Sequence, residues 1–399
     1  MTRLWFSAHS VLSCDRRWWR VFLLMFCCIT LLTGCSLPQV SAEERLFLPL
    51  SVEFLDEYVL PSQEFEGTRV GGLSAIAYER QSDRFFVLSD DRSNFAPARF
   101  YTLAMQIDTT NPEAAQIADV TLEQTTALQN PEGEPYASGS VDPEALVLSP
   151  RQSIFVASEG DTSQGIPPFI DEFDRTTGEW LNALPIPRRY IPGEQDGEPL
   201  GVQNNLSFES LAINPGGFTT QSGYVEPFRL FAATESSLAQ DASTDATVGE
   251  PIRLLHYLVG EDLPSLLAEH LYPLEPTPDG VISNGLTELL VLDQAGHFLS
   301  LERTFGVMGA GAKLFQLAIA DATDTSGIPR FGGDLRTIQP IRKQLLLDLR
   351  ELGITLDNLE AMTLGPRLPD GSQSLILLSD DNFSENQKTQ FLLFRLTGL

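Results

Sequence analysis

Five stretches of this 399-residue chain repeat one layout, and that recurrence limits the fold more than any other feature. Each stretch opens on a small acidic or polar group, runs apolar, turns, runs apolar again and ends in acid. The first is Leu73-Ser74-Ala75-Ile76-Ala77-Tyr78, then Arg84 to Leu88, then Ser89-Asp90-Asp91. The second is Pro143-Glu144-Ala145-Leu146-Val147-Leu148, then Ile154 to Ala157, then Ser158-Glu159. The third is Phe208-Glu209-Ser210-Leu211-Ala212-Ile213, then Arg229 to Ala233, then Thr234-Glu235. The fourth is Thr287-Glu288-Leu289-Leu290-Val291-Leu292, then His297 to Leu301, then Glu302. The fifth is Leu359-Glu360-Ala361-Met362-Thr363-Leu364, then Leu375 to Leu378, then Ser379-Asp380-Asp381.

Aligned on Ser74, Glu144, Glu209, Glu288 and Glu360, the repeats are 70, 65, 79 and 72 residues apart. Each interval holds two further strand candidates: 99–107 with 115–122, 169–173 with 180–186, 252–259 with 269–274, and 313–320 with 338–347. The fifth has only 390–396, and the missing strand is available at the front, in 46–60. Four-stranded units arranged about an axis make an all-β propeller, and an N-terminal strand that completes the last blade leaves no long open edge. The count closes at about five blades, or six if a long insert hides another; a stack of unrelated sandwiches is the rival. Helix is scarce: Ser265 to His270 could make a turn or two, and Arg342 to Leu352 could be helix instead of strand.

The two strands of each hairpin run antiparallel, so the start of one and the end of the other share an end. In a propeller this gathers Ser74, Glu144, Glu209, Glu288 and Glu360 around one channel mouth. Behind them stand Asp90, Asp91, Glu159, Glu235, Glu302, Asp380 and Asp381. Crowded carboxylates repel unless something neutralises them. Hard oxygen donors in this number favour Ca2+, with Asn205, Asn284, Asn358 and Asn382 able to complete the shell. Arg92, Arg99, Arg303, Lys313 and Lys343 could pair with the acids or receive an anion. The plainer reading is that these acids cap turns and are solvated.

Other chemistries find little support. There is no Gly-x-Ser-x-Gly elbow, and of four histidines His9 lies in the leader while His256 and His297 lie in apolar strands. The formal charge of −28 argues against nucleic acid, because phosphate contacts need a basic surface. It also disfavours a bare polyanion unless a cation accompanies it.

All four cysteines fall at Cys14, Cys27, Cys28 and Cys35, so the chain beyond has no disulfide and no thiolate zinc site. Arg16, Arg17 and Arg20 precede an apolar run from Val21 to Leu32, too short for a comfortable span. Leu32-Thr33-Gly34-Cys35 is similar to a bacterial lipobox, with Cys35 the lipidated residue. The reading is therefore a signal peptide over 1–34, a lipidated cysteine and tether over 35–44, and a propeller over 45–399. Such a protein is exported to the cell envelope and held at a membrane only by its acyl chains.

Several motifs also match a known family. Val70-Gly71-Gly72-Leu73-Ser74, Leu88-Ser89-Asp90-Asp91-Arg92, Asp142-Pro143-Glu144, Asn205-Leu206-Ser207-Phe208-Glu209 and Leu301-Glu302-Arg303 resemble the bacterial phytase-like, "esterase-like activity of phytase" proteins. The tail Ser379-Asp380-Asp381-Asn382-Phe383-Ser384, with Gln387 and Thr389-Gln390-Phe391, is the most specific stretch. The resemblance runs from about Leu46 to Leu396 and departs at Ser207 and Ser210, where Gly is common. It implies an envelope β-propeller distantly similar to calcium-dependent phytases, which bind phosphate and activate water at an acidic mouth.

The expectation is a calcium-dependent hydrolase of phosphoric esters. Glu144, Glu209, Glu288 and Glu360 would hold metal, joined by Glu159, Glu235, Glu302, Asp91 and Asp381. Asp90 and Asp380 would be co-ligands or base, and Arg92, Arg303 and Lys313 phosphate clamps. A metal-dependent carboxylic esterase or lactonase is a rival, as is a non-catalytic propeller that binds a cation or a partner.

Overall fold

The middle strands of the repeats are continuous apolar runs, and the reason is that each is covered on both sheet faces. In a computed structural model, residues 46–399 are described, apart from 112–113, 215–225, 244, 246, 262 and 332–334 and the side chain at 336. The expected signal peptide, Cys35 and the tether lie outside them. Phe47–Leu399 form one unit. Among the described residues no helix is long and apolar enough to cross a membrane.

The chain opens with β1 (Ser51–Val59) and a small hairpin, β2 (Glu64–Phe65) and β3 (Thr68–Arg69). Blade 1 is β4 (Leu73–Glu79), β5 (Arg84–Ser89), β6 (Arg99–Asp108) and β7 (Gln116–Ala127). Blade 2 is β8 (Pro143–Leu148), β9 (Ser153–Ser158), β10 (Phe169–Asp174) and β11 (Trp180–Ala183). A second small hairpin follows, β12 (Gly193–Gln195) and β13 (Glu198–Leu200). Blade 3 is β14 (Phe208–Ile213), β15 (Phe228–Thr234), β16 (Pro251–Val259) and β17 (Ser265–Pro273). Blade 4 is β18 (Val281–Val291), β19 (His297–Gly306), β20 (Gly309–Ala318) and β21 (Arg342–Asp348). Blade 5 is β22 (Asn358–Arg367), β23 (Gln373–Asp380) and β24 (Gln390–Thr397), with β1 as its fourth strand.

The fold is thus an all-β propeller of five four-stranded blades. β1 runs antiparallel to β24, from Ser51 opposite Thr397 to Val59 opposite Gln390, so the first and last strands close the ring. Five apolar layers lie between successive blades, and each draws side chains from both neighbours. Between blades 1 and 2, for example, Leu88 and Phe100 meet Leu146 and Phe173. β9 is buried along its whole length, whereas β7 alternates because its outer face meets water.

Some expectations are corrected. Ser265 to His270 is the first part of β17 and not a helical turn. Arg342 to Leu352 is strand as far as Asp348 and turns into a 3-10 helix only at Leu349–Leu352, where the Asp348 side chain accepts from the Arg350 N–H. β11 stops at Ala183 instead of Ile186, since Pro185 has no N–H for the ladder.

Candidate functional site

At the mouth end, every first strand carries a β-bulge. The register slips between Leu73 and Ala75, Pro143 and Ala145, Phe208 and Ser210, Leu286 and Glu288, and Leu359 and Ala361. A bulge leaves the skipped residue unpaired and re-aims its side chain. The skipped residues are Ser74, Glu144, Glu209, Thr287 and Glu360. Leu73, Pro143, Phe208, Leu286 and Leu359 stand opposite Ser89, Ser158, Thr234, Glu302 and Ser379. One residue further on come Asp90, Glu159, Glu235, Arg303 and Asp380.

This register corrects blade 4. Its inner position is Thr287 and not Glu288, and its outer position is Arg303 and not Glu302. Thr287 Oγ1 lies 3.4 Å from the Leu359 carbonyl, as Ser74 Oγ lies 3.2 Å from that of Pro143, so both hydroxyls tie their blade to the next. Glu288 instead occupies the place held by Ala75, Ala145, Ser210 and Ala361 in the other blades. It is buried against blade 5, where its carboxyl accepts from the Leu289 and Met362 backbone N–H groups, and burial raises its pKa well above the usual carboxylate range. Glu302 accepts from Tyr272 Oη at 2.6 Å and pairs with Lys343 at 2.6 Å. Neither lines the mouth.

Other expected residues are also placed elsewhere. Lys313 stands opposite Glu302 in the ladder and follows it into a separate pocket of about 120 Å3, with Glu275, Asp348 and Arg350. Asp91 organises the loop after β5: it accepts from the Asn94, Phe95 and Ala96 N–H groups and pairs with buried Arg99 at 2.8 Å. Burial alone would raise its pKa, but Arg99 and the backbone donors outweigh that and lower it. Asp381 accepts from the Gly72 and Phe383 N–H groups. Gly72 has φ +59°, and a Cβ there would lie 1.9 Å from Asp90 Oδ1, so the backbone presses against the Asp90 carboxylate.

What remains lines a cavity of about 890 Å3 at the mouth: Asp90, Asp142, Glu144, Glu209, Glu360 and Asp380, with Arg92, Arg303, Asn205, Asn358 and Asn382. Glu159 and Glu235 stand directly behind. Glu159 accepts from the Ser207 N–H, and Glu235 from Arg303 at 2.9 Å. Ser207 and Ser210 flank Glu209 with buried hydroxyls that have no hydrogen-bond partner. Arg303 also donates to Glu360 and to Asn358 Oδ1, each at 2.5 Å. Burial would lower its pKa, but Glu360, Glu235 and Glu209 raise it further. Arg92 is more open. It donates through Nε to Asp142 at 2.7 Å and reaches Asn205 at 3.0 Å.

Burial is the main force on these acids, and neighbouring carboxylates come next. It pushes Asp90 up to about 8, with Glu360 and Asp142 adding to the effect. Glu159 rises to about 8 by burial and then Asp142. Asp142 rises to about 6, because Arg92 opposes the burial. Glu144 is raised well above its ordinary range by burial and then Glu209, Glu209 by burial and then Glu235, and Asp380 by burial and then Asp90.

Asp142, Glu144 and Glu159 each offer a ligand atom, and those atoms lie within 4.8 Å of one another. Asp90 Oδ1 is buried with no hydrogen-bond partner. All these donors are hard oxygens, and the set fits a divalent cation. Asp142 is a site residue that the repeat pattern does not mark, because it lies before the apolar run. Its place beside a bulged glutamate comes from the Asp-Pro-Glu step, since the Glu159 N–H bonds the Asp142 carbonyl across the hairpin.

No curated protein matches the chain. Among solved structures, the catalytic domain of a Coprinopsis cinerea GH62 α-L-arabinofuranosidase is similar at 11% identity and TM-score 0.41, over 86% of this chain and 97% of that one. An endo-arabinase from Bacteroides thetaiotaomicron is similar at 10% identity and TM-score 0.39, over 81% and 93%. Likeness at this level says nothing of activity. The informative match is to a family: a model described as phytase-like, esterase-like activity of phytase, spans residues 68–383, from the first hairpin to the Asp380-Asp381-Asn382-Phe383 tail. The chain belongs to that phytase-like family.

Proposed function

We propose that this protein is a calcium-dependent hydrolase of phosphoric esters, working at the acidic mouth of the propeller. The observation that carries the reading is the buried carboxylate ring, with ligand atoms of Asp142, Glu144 and Glu159 within 4.8 Å of one another and, among the described residues, only Arg92 and Arg303 to offset the charge at the cavity wall. A divalent cation there would supply charge neutralisation and Lewis acidity toward phosphate. Asp142, Glu144 and Glu159 would hold it, with Glu209 and Glu360 beside them.

The chain's own groups supply the rest. Arg92 is open enough to take a phosphate oxygen. Arg303 is fixed by Glu235 and Glu360 and sets a positive field on the opposite side of the cavity. Asp90 Oδ1, lacking a partner and with a pKa near 8, accepts a proton from the attacking water, with Asp380 alongside. The water oxygen bonds phosphorus as the ester P–O bond breaks, and the departing alkoxide oxygen takes a proton from solvent while the proton of the attacking water stays on Asp90. The products are an alcohol and phosphate.

Because Arg303 is already committed to two carboxylates and Asn358, a non-catalytic cation-binding propeller is the second reading. One experiment separates the two. Metal-stripped protein is titrated with calcium by calorimetry, then assayed on 4-nitrophenyl phosphate. Binding and turnover both lost in Glu159→Gln and Asp142→Asn support the hydrolase. Binding without turnover on phosphate, carboxylic or lactone esters supports the second reading, and calcium affinity unmoved by either variant would defeat both. The expected partner is a small phosphorylated molecule. Export and acylation at Cys35 belong to the same proposal, and Cys35→Ser should shift the protein from the membrane to the soluble fraction.

A further inference from the structure

The cavity is not acidic all round. On the blade 4 side its wall is Ser283, Phe305, Gly309 and Ala310. Ser283, Phe305 and Ala310 stand abreast on β18, β19 and β20, so they present one face. Phe305 is 51% exposed there. The β19–β20 turn that follows carries Val307 and Met308, 82% and 89% exposed, and Ile282, next to Ser283 on β18, is 78% exposed. The turn is held in place: the Val307 N–H bonds the Gly280 carbonyl at 3.0 Å, and Gly306 pairs with Gly309. From Phe305 to Ala312 the sequence reads Phe-Gly-Val-Met-Gly-Ala-Gly-Ala, without one polar side chain, in a chain with 54 acidic residues. Large apolar side chains clustered at a surface mark a binding site more often than chance exposure.

We infer that the substrate is an amphiphile: a phosphate monoester of an apolar alcohol, its phosphate toward Arg92 and the carboxylates and its hydrocarbon along Phe305, Ala310 and the Val307–Met308 turn. This rests on the phosphoric-ester reading above. A bare polyanion would leave the apolar wall wet and would meet the net charge of −28. An apolar alcohol covers the wall, and Gly309, where a Cβ would meet nothing within 4 Å, lets a chain approach the backbone closely. Phe305 becomes the specificity-determining residue, because among Ser283, Phe305, Gly309 and Ala310 it is the one large apolar side chain.

The test is a series of ethyl, butyl, hexyl and octyl phosphates against glycerol phosphate and inositol hexakisphosphate, on the full chain with calcium. Each buried methylene should raise kcat/KM roughly three- to fourfold until the wall is covered. Phe305→Ser and Met308→Ser should flatten that slope, with melting temperature and calcium affinity reporting that the variants are folded. Equal use of all chain lengths, or preference for the polar esters, overturns the inference. If no ester is hydrolysed, the matching alkylphosphonates are titrated by calorimetry. A chain-length dependence of Kd that Phe305→Ser removes keeps the apolar wall while the hydrolase reading fails. No binding, or binding indifferent to chain length, overturns the wall as well.

Discussion

Without divalent metal the protein should lose stability as pH rises through neutrality, opposite to what paired carboxylates give. Glu159 shows the size of the effect. Its pKa rises from 4.5 in the unfolded chain to about 8 in the fold, chiefly by burial. A raised carboxyl keeps its proton in the native state after the unfolded chain has lost it. Its contribution is therefore fully present below about pH 4.5 and lost as pH climbs to about 8. A shift of this size corresponds to about 5 kcal/mol. For a ring of roughly 350 residues the unfolding entropy makes that about 7 °C in melting temperature. The carboxylates interact, so their protons leave as a set and one is used for scale. The assay is thermal melting from pH 5 to 8.5, with chelator and with millimolar calcium. The chelated protein should melt progressively lower across the range. Calcium binds the deprotonated set, so its stabilisation should grow with pH and flatten the profile. Glu159→Gln should weaken the slope. A chelated profile that is flat or rises with pH would refute the reasoning, and so would a slope that calcium leaves unchanged.

Three further outcomes follow from the same geometry. Arg303→Met leaves Glu235 and Glu360 buried without their cation; breaking such a pair costs about 3–5 kcal/mol, seen as a melting drop of roughly 4–7 °C at pH 8. Glu288→Gln, away from the mouth and held by backbone N–H groups, should leave calcium affinity within about twofold by calorimetry. Gly72→Ala drives a methyl into Asp90 at a left-handed backbone position; about 1–3 kcal/mol of strain should appear in melts, and turnover that uses Asp90 as base should fall by about tenfold or more.

The hairpins were legible because strands such as β9 and β23 are covered on both faces and so read as unbroken apolar runs. Closure by the N-terminal strand was legible because the fifth repeat lacked a partner. The blade 4 offset was hidden because Glu288 and Glu302 mimic the ring acids one residue out of step. A clue was present in the column Ser89, Ser158, Thr234 and Ser379, a hydroxyl in four blades that Glu302 interrupts. The Asp90-Asp91 and Asp380-Asp381 doublets were ambiguous for another reason. Alternate residues of an extended chain point opposite ways, and only the ladder register shows which member faces the channel. The sequence also did not reveal how the ring acids are held up in pKa, since that depends on burial and on neighbours from other blades.

The clasp between β1 and β24 also governs how the molecule is made. β1 must wait for β24, so blade 5 is not complete until the C-terminal strand has been made. That order agrees with the export proposed above, in which the chain would cross a membrane as an open thread and fasten its circle afterwards. Removing Gln390–Thr397 would unfasten it and expose two sticky edges at once.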